Sequence, residues 1–308
     1  LDLQRNSVLR FEGRSAVRHI CVSADGNLLC AIDANGFLAL VSLTSRITKT
    51  VHRQKMAKAV RAAAFSPAAR VLCVDQGRRL ESWRVPKTIG FQSLQMVARL
   101  NGHSAAITCM SWSPCGSVIV SGSEDMTLCI HRLRKTFQRA GAAISLSGHR
   151  AAVIACHYVQ DAFELEGLGG AFDDAVRVSG DAIYSVARDA AVYVWANSES
   201  SDTAWAPVRR LHVRRNGGDV TAAAFRRRLL CLGYSHGVFG LFAMPTGDML
   251  HALSVAQAAI TSCQISSSGD LLAIACGPNR QLLVWEWESE THVLKQQGHA
   301  SRLRCASY

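Results

Sequence analysis

Residues 185–195 read Ser-Val-Ala-Arg-Asp-Ala-Ala-Val-Tyr-Val-Trp, which is a short apolar segment, a polar turn at Asp189 and a second apolar segment that ends at Trp195. Valine and aromatic residues favour β-strands, and the few residues between the two segments predict a tight turn. Apolar side chains at successive positions indicate a sheet that protein covers on both faces. The stretch therefore predicts two neighbouring strands from the interior of an all-β fold.

The same pattern of strand, turn and strand recurs along the chain. Its first strands begin at seven positions with successive spacings of 43, 47, 46, 67, 40 and 43 residues: Val17, Val60, Ile107, Val153, Val220, Ile260 and Leu303. A period of about 40–45 residues is typical of WD repeats, each of which supplies four strands to a β-propeller. The sequence therefore predicts a single all-β WD-repeat β-propeller over residues 1–308. We expect seven blades, with six complete repeats visible and the last blade completed from the two chain ends.

Two features modify this simple ring. The spacing of 67 residues results from an insertion in the fourth repeat, whose glycines and carboxylates predict a solvated loop over residues 160–180 that leaves the sheet intact. The chain begins at Leu1 without an initiator methionine or a signal-peptide pattern, so we interpret it as an excerpt of a longer protein.

A set of polar residues in the fourth repeat predicts the hydrogen bonds that hold a blade together. The set consists of His149, Ser185, Asp189 and Trp195. We expect the aspartate in the turn to orient the histidine, and the other histidine nitrogen to reach the serine hydroxyl, which meets the indole N–H. The six-residue spacing from Asp189 to Trp195 also links Asp125 to His131 in the third repeat, where histidine stands at the usual tryptophan position.

Histidine, serine and aspartate in one repeat also resemble a catalytic triad, which we consider the weaker interpretation. A triad needs an accessible nucleophile beside an oxyanion hole, whereas the spacing places Ser185 inside a blade. The chain has no P-loop and no His-Glu-x-x-His motif, and its eleven histidines do not form metal-ligand pairs. We therefore expect a non-enzymatic protein with no catalytic residues, cofactor, metal or small-molecule substrate.

The positions of the cysteines and the lengths of the apolar runs bear on the compartment of the protein and on membrane association. The eleven cysteines include no Cys-x-x-Cys pair, and most lie within apolar segments, so we interpret them as small buried hydrophobic residues. Such usage indicates a reducing compartment. The longest apolar runs fall far short of the roughly 18 residues that cross a bilayer, so no membrane association is expected.

WD signatures specify a fold and say little about function, but one segment near the end of the chain is more distinctive. Residues 281–290 read Gln-Leu-Leu-Val-Trp-Glu-Trp-Glu-Ser-Glu, and residues 293–299 read Val-Leu-Lys-Gln-Gln-Gly-His. This block resembles the periodic tryptophan protein two family, and similar segments extend the resemblance over nearly the whole chain: residues 108–114, 121–127, 146–150 and 237–241. The resemblance implies a scaffold subunit of the small-subunit processome, within its UTP-B subcomplex, that acts in early pre-rRNA processing and 18S rRNA maturation.

The resemblance also implies partners, location and architecture. The expected partners are other UTP-B and processome proteins together with pre-rRNA or a small nucleolar RNA complex, and the expected location is the nucleolus. Members of the family have tandem propellers followed by a helical region, and this chain is similar to the first propeller. Two departures from the family pattern, the insertion at 160–180 and His131, put local contacts in doubt.

The formal net charge of +11 attracts phosphate-rich or acidic partners. Several basic residues follow first strands or third strands, namely Arg226, Arg227, Arg228, Arg132, Arg134, Lys135, Arg46 and Lys49. Because both classes of turn emerge on the same face of a propeller, we predict a basic face that contacts the rRNA backbone or an acidic neighbour without reading sequence. The alternative interpretation is that these are ordinary solvated turn charges.

Two other functions remain open at this stage. A general WD-repeat adaptor, such as a substrate receptor of a ubiquitin ligase, would bring a docking segment for the ligase, and none is visible in the sequence. A propeller hydrolase would need acidic or metal-ligating residues that converge on the central channel. The processome scaffold is the one hypothesis that uses the distinctive block at residues 281–299.

Overall fold

The computed structural model describes residues 15–43, 49–85, 94–164, 177–197, 204–213 and 218–297. Within these ranges the chain forms 24 β-strands and no helix. The strands make six antiparallel four-stranded sheets, and in each sheet the strands are hydrogen-bonded in chain order. Each sheet is one blade of the propeller.

The blades follow one another along the chain. Blades 1 to 3 comprise β1 (Val17–Val22), β2 (Leu28–Asp33), β3 (Phe37–Ser42) and β4 (Lys49–Lys55); β5 (Ala63–Phe65), β6 (Val71–Asp75), β7 (Arg79–Arg84) and β8 (Gln95–Asn101); and β9 (Ile107–Trp112), β10 (Val118–Ser123), β11 (Thr127–Arg132) and β12 (Ile144–Ser147). Blades 4 to 6 comprise β13 (Val153–Glu164), β14 (Arg177–Ala187), β15 (Ala191–Asn197) and β16 (Trp205–His212); β17 (Val220–Arg226), β18 (Leu229–Tyr234), β19 (Val238–Ala243) and β20 (Met249–Ser254); and β21 (Ile260–Ile265), β22 (Leu271–Cys276), β23 (Gln281–Glu286) and β24 (Thr291–Gln297).

The first strands of successive blades lie against each other. Strand β1 contacts β5, and the series continues through β9, β13 and β17 to β21. This stacking of meander sheets confirms the predicted all-β WD-repeat propeller. Five predicted first-strand positions begin strands, and the sixth, Val60, is a buried residue just before β5, which begins at Ala63.

The seventh blade stays a prediction. It depends on residues 1–14 and 298–308, among them Leu303, and these lie outside the described residues. The same holds for the interpretation of the chain as an excerpt.

The insertion in blade 4 is only partly what the composition predicts. Strands β13 and β14 continue past the blade and pair with each other at Ala162 and Gly180 and again at Glu164 and Arg177. The prediction of a loop is therefore wrong at both ends of the 160–180 segment, because its backbone groups hydrogen-bond across a two-stranded ribbon. We call the paired residues 160–164 and 177–180 the blade-4 ribbon; residues 165–176 lie outside the described ranges.

The core lies between neighbouring blades, where the two faces of each sheet are covered. Between blades 5 and 6, the ring centroids of Phe239 and Trp285 are 5.4 Å apart at a steep interplanar angle, and both side chains are buried. Leu241 and Leu272 belong to the same cluster. Each such side chain contributes about 1.5–3 kcal/mol when it is buried, so inter-blade packing stabilises the stack of blades.

A threonine and a glycine fasten blade 5 to blade 6. Thr221 Oγ1 lies 2.7 Å from the Ile260 carbonyl oxygen of blade 6 and 3.2 Å from the Gly233 carbonyl oxygen of its own blade. Gly233 is required there because a Cβ atom at this position would lie 2.4 Å from Ile260 Cγ2. The missing side chain lets the first strand of the next blade approach closely.

Blades 3 and 4 repeat this arrangement. Thr108 donates its hydroxyl to the Val153 carbonyl, and its Oγ1 lies 3.1 Å from the Gly122 carbonyl oxygen. A Cβ atom at Gly122 would lie 2.6 Å from Val153 Cγ1. The pairing of threonine in the first strand with glycine in the second is therefore a recurring inter-blade contact.

Candidate functional site

Three of the four residues predicted to hold blade 4 together are linked by hydrogen bonds as expected. His149 Nε2 lies 2.8 Å from Ser185 Oγ, and the Trp195 indole N–H donates to the same oxygen at 2.8 Å. Ser185 lies in the middle of β14 and Trp195 in β15, so the hydroxyl joins the loop before β13 to two strands of the blade. We call this set the His149 lock.

The fourth member, Asp189, does not join the His149 lock as predicted. Its carboxylate accepts the Ala191 N–H at 3.1 Å within the turn, and His149 Nδ1 is buried without a hydrogen-bond partner among the described residues. Burial lowers the pKa of His149 to about 4, and Arg210 adds to this effect while Asp189 opposes it. The ring is therefore neutral at pH 7, and the turn geometry leaves one of its nitrogens unpaired.

Blade 3 has the same contact between histidine and serine, but here the histidine also contacts the aspartate of the turn. His103 Nδ1 lies 3.0 Å from Asp125 Oδ2, and His103 Nε2 lies 2.9 Å from Ser121 Oγ. Asp125 also accepts hydrogen bonds from the Ser104 N–H at 2.8 Å and the Thr127 hydroxyl at 2.6 Å. We call this set the His103 lock.

The neighbours of Asp125 in the His103 lock favour the charged form of its carboxyl. Burial acts to raise the pKa of the Asp125 carboxyl, but Thr127, Ser104 and His103 outweigh it and lower the pKa to about 2. At the tryptophan position, His131 is buried, and burial followed by repulsion from His103 and Arg139 lowers its pKa to about 4. A neutral histidine thus replaces the indole donor.

Sequence analysis noted Asp125 and His131 in the third repeat but did not predict the contacts of His103 with Ser121 and Asp125. The signal was present, since Gly102-His103, Ser121 and Asp125 occur in the order of the fourth repeat. The pattern was missed because histidine stands at position 131 in place of tryptophan, so the third repeat looked incomplete. The two locks therefore divide the expected contacts, with the aspartate link in blade 3 and the tryptophan link in blade 4.

Neither lock presents a nucleophile to solvent. Ser121 and Ser185 are both fully buried, and each hydroxyl is already engaged by a histidine ring. A serine nucleophile must be reachable beside donors for an oxyanion, so this arrangement serves packing and does not form a triad.

A sequence match to the hydrolase motif Gly-x-Ser-x-Gly occurs at residues 233–237, which read Gly-Tyr-Ser-His-Gly. In a nucleophile elbow this motif joins a strand to a helix. Here it spans the end of β18 and the turn to β19, so strand meets strand. The Ser235 N–H donates to the Asp219 carbonyl in this turn. The motif is therefore a turn between two blade strands.

Two further features are absent from the part of the chain that the structure describes. It contains no cluster of three histidine, cysteine or carboxylate side chains placed to hold a metal ion. It also contains no helix of the length and apolarity needed to cross a membrane.

The predicted basic residues fall into two groups at one end of the blades. In blade 5, Arg226 ends β17 and Arg227 and Arg228 form the turn to β18; all three side chains are exposed. In blade 3, Arg132 ends β11 and is half-buried, while Arg134 and Lys135 follow it and are exposed. These six residues define the basic face. Arg46 lies outside the described residues, and Lys49 begins β4 but its side chain is not described.

Backbone contacts show that both classes of turn lie on the same face. The Met244 N–H after β19 donates to the Arg228 carbonyl after β17, and the Leu133 N–H after β11 donates to the Ser117 carbonyl before β10. The Arg226 guanidinium donates to the Ser267 carbonyl of the corresponding blade-6 turn at 3.3 Å. The prediction that these turns share one face is therefore correct.

The base of the blade-4 ribbon lies between the two basic groups. On the blade-3 side, the Tyr158 hydroxyl donates to the Asp181 carboxylate. Burial and then Asp181 raise the pKa of Tyr158, and Arg132 is close enough to oppose them.

On the blade-5 side, the rings of His157 and Phe225 are parallel within 9° with centroids 6.1 Å apart. Burial, with a smaller effect from Arg226, lowers the pKa of His157 to about 4. Burial raises the pKa of the Tyr184 hydroxyl, and Arg228 is near enough to act against it. The basic face therefore has arginines on both sides of the ribbon.

Comparison with known families identifies one repeat directly. The model described as "WD domain, G-beta repeat" matches residues 94–132. This stretch runs from the outer strand β8 of blade 2 through β11 of blade 3 and includes the His103 lock. One sequence repeat thus spans two structural blades.

Curated relatives align over almost the entire chain. The periodic tryptophan protein 2 homolog of Neurospora crassa is 30% identical over 325 residues, which cover 99% of this chain and 34% of that protein. The homolog of Schizosaccharomyces pombe is 28% identical over 97% of this chain and 35% of its own length. Periodic tryptophan protein 2 of Saccharomyces cerevisiae is 26% identical over 100% of this chain and 34% of its own length. The chain therefore spans about a third of the length of these relatives.

Proposed function

The chain is a WD-repeat protein of the periodic tryptophan protein 2 family, and from that premise we propose that it is a non-enzymatic scaffold of the small-subunit processome. Its role in this 90S pre-ribosomal particle is in pre-rRNA processing and 18S rRNA maturation. The observation that carries the proposal is the 30% identity to a family member along 99% of the chain. Because the chain spans about a third of its relatives, the proposal concerns the part of the scaffold that this propeller provides.

The arrangement of polar groups supports a scaffold. The histidine and serine side chains that resemble catalytic groups are buried inside blades 3 and 4, where they join strands. A rigid ring of this kind positions surface turns for other macromolecules. We propose that the partners are other proteins of the UTP-B subcomplex and that the nucleolus is the place of assembly.

The basic face supports a contact with pre-rRNA or a small nucleolar RNA complex. Its exposed members Arg227, Arg134 and Lys135 lie on turns of the same face in a protein of net charge +11. Arginine and lysine bind phosphate oxygens and release counterions, which strengthens binding without reading base sequence. We propose that this face contacts the RNA backbone from both sides of the blade-4 ribbon.

Affinity capture from nucleolar extract tests the proposal. The tagged chain and an unrelated tagged WD-repeat propeller of similar size are purified in parallel, and the bound proteins and RNAs are identified. We expect enrichment of processome proteins and of pre-rRNA that contains 18S sequence with this chain alone. Enrichment of ubiquitin-ligase subunits without pre-rRNA would contradict the scaffold and favour the general WD-repeat adaptor.

A further inference from the structure

Six cysteines lie side by side in three pairs, and none of the pairs is a Cys-x-x-Cys motif. Cys109 Sγ and Cys156 Sγ of blades 3 and 4 are 3.7 Å apart, and the thiol of Cys263 in blade 6 contacts that of Cys231 in blade 5. The third pair, Cys21 and Cys30, occupies directly opposed positions on β1 and β2 of blade 1. All six are free thiols.

The blade-1 pair differs from the other two in its surroundings. Cys21 is half-buried on the first strand, whereas Cys30 is fully buried behind it. Both Cys231 and Cys263 are buried. Cys109 is half-buried too, but its thiol interacts with Cys156, the Thr108 hydroxyl and the Gly122 backbone, and none of these described neighbours is a cation.

Cys21 has an imidazole beside it. His19 stands two residues earlier on β1 and forms a hydrogen bond with the Cys21 sulfur. The His19 Nε2 atom is 3.0 Å from the Ala63 carbonyl oxygen of blade 2. Asp75 of β6 is close enough to stabilise a positive charge on His19, and its buried Oδ2 atom has no hydrogen-bond partner among the described residues.

These neighbours shift the pKa values of Cys21 and of His19. The Cys30 thiol donates to the Cys21 sulfur and, with His19, outweighs burial, so the pKa of Cys21 falls to about 6. Burial acts to lower the pKa of His19, but Cys21, the Ala63 carbonyl and Asp75 together raise it. Burial and the adjacent Cys21 raise the pKa of Cys30. Cys30 and His19 therefore both favour the thiolate form of Cys21.

We propose that blade 1 contains a reversible oxidation site in which Cys21 reacts with peroxides and Cys30 is the resolving thiol. Thiolate character, partial exposure and an adjacent second thiol are the features that make a cysteine sensitive to peroxide. The cluster of His19, Cys21 and Cys30 supplies all three. The proposal is independent of the scaffold function, since it concerns the oxidation state of the protein and not its partners.

The chemistry balances with hydrogen peroxide as the oxidant. The Cys21 thiolate attacks one peroxide oxygen, the S–O bond forms, the O–O bond breaks, and the departing hydroxide takes the proton from His19 to become water. The Cys30 sulfur then attacks the sulfenic acid, so that the S–S bond forms, the S–O bond breaks, and the Cys30 proton leaves with the hydroxide as a second water. Two thiols lose two electrons and one peroxide gains them.

The sheet register permits the product. Opposed residues of an antiparallel pair have Cα atoms about 4.5–5.5 Å apart. A disulfide spans Cα separations of about 4.4–6.8 Å. The bond between β1 and β2 therefore needs no movement of one blade against another, and a reductant restores the thiols.

The test treats the full chain with limiting hydrogen peroxide, blocks remaining thiols with iodoacetamide and maps disulfides by peptide mass spectrometry. We expect a Cys21–Cys30 cross-linked peptide that dithiothreitol removes. Cys115 is the matched control, because it is exposed and its described neighbours are the hydroxyls of Ser113 and Ser117, not another thiol. Peroxide that oxidises Cys115 without producing the Cys21–Cys30 peptide would overturn the proposal.

Two variants test the assigned roles without requiring disulfide formation. In Cys30→Ser the sulfenic acid on Cys21 has no resolving thiol, so dimedone labelling of Cys21 should increase several-fold over the wild-type chain. In His19→Gln the Cys21 sulfur loses its imidazole neighbour, so iodoacetamide labelling of Cys21 at pH 7 should slow several-fold while labelling of Cys115 is unchanged. Unchanged labelling of Cys21 in both variants would contradict the site, and the wild-type cross-link decides the matter if a variant does not fold.

Discussion

His103 Nδ1 lies 3.0 Å from the Asp125 carboxylate in blade 3, whereas the equivalent nitrogen of His149 in blade 4 is buried with no partner among the residues that the structure describes. In both blades the other ring nitrogen reaches a buried serine hydroxyl at 2.8–2.9 Å. The two repeats thus share a histidine–serine contact and differ in what completes it. Blade 3 adds a carboxylate and blade 4 adds an indole.

The first prediction follows from this difference. Replacing Asp125 by asparagine removes a half-buried carboxylate that accepts hydrogen bonds from His103, Ser104 and Thr127, so we expect a loss of about 1–3 kcal/mol in the free energy of unfolding. Asp189→Asn is the matched control, because within the described part of the chain that carboxylate accepts the Ala191 N–H alone, and its loss should stay below about 1 kcal/mol. Urea denaturation measures both. Equal losses in the two variants would show that the carboxylates have the same role.

The second prediction concerns pH. The pKa of His149 is about 4 in the folded chain against 6.5 without the protein environment, so the unfolded chain binds the proton first as pH falls. The contribution of His149 to the free energy of unfolding is fully present above pH 6.5. It is lost as the pH falls toward 4, with a slope of at most about 1.4 kcal/mol per pH unit. His131 and His157 add to the slope in the same window, since their pKa values are also about 4.

Denaturation of the wild-type chain and His149→Gln at pH 8, 7, 6 and 5 tests this. The glutamine does not titrate, so the variant should lose less stability than the wild-type chain between pH 6.5 and 5, while the two curves run parallel from pH 8 to 7. Parallel curves over the whole range would mean that His149 does not titrate on unfolding.

Much of the fold could be predicted because its signal is repeated. Apolar strands of similar length recur every 40–47 residues outside blade 4, and five of the six first strands begin at the predicted residue. The blade-4 ribbon could not be predicted in this way. Glycine and carboxylate content describes how a segment meets solvent, but a two-stranded ribbon is held by backbone hydrogen bonds, which composition does not report.

In the candidate site, too, contacts that follow from residue spacing could be predicted and the others could not. Ser185 and Trp195 were found because they are diagonal neighbours in the regular β14–β15 register, where Ser185 opposes Tyr193 and Trp195 opposes Ile183. The contact of Asp189 was predicted wrongly because it depends on the conformation of one turn, where Ala190 has a φ of 64°. The thiol pairs were not predicted, since spacing within a repeat does not show which side chains meet between blades or across β1 and β2.

The third prediction tests the contact between blades 5 and 6. A Cβ atom at Gly233 would lie 2.4 Å from Ile260 Cγ2, so Gly233→Ala should destabilise the chain by about 1–3 kcal/mol through overpacking. Ile260→Ala removes Cγ2 and so relieves the closest part of that clash, although Ile260 Cβ stays 2.8 Å from the added Cβ atom. In the double variant Gly233→Ala with Ile260→Ala, the loss should be smaller than the sum of the two single losses, as measured by urea denaturation. Strict additivity would show that the two residues do not meet.

The fourth prediction concerns the basic face. Reversing Arg226, Arg227 and Arg228 to glutamate removes three cations from one turn, and we expect weaker binding to a fluorescent single-stranded RNA in an anisotropy titration. If all three contact phosphates, the slope of log affinity against log salt should fall by about 2, because each contact on a single strand contributes about 0.7. Incorporation into the processome should fall as well.

The matched control reverses three exposed arginines at the opposite end of the blades, Arg78, Arg150 and Arg188, which lie in turns between second and third strands or in the connection before β13. Both triple variants change the net charge by the same amount, so a general effect of charge on RNA binding would weaken them equally. A contact at the basic face weakens only the Arg226–Arg228 variant and lowers its salt slope. RNA binding and processome incorporation that remain at the wild-type level in that variant would leave these arginines as ordinary solvated turn residues.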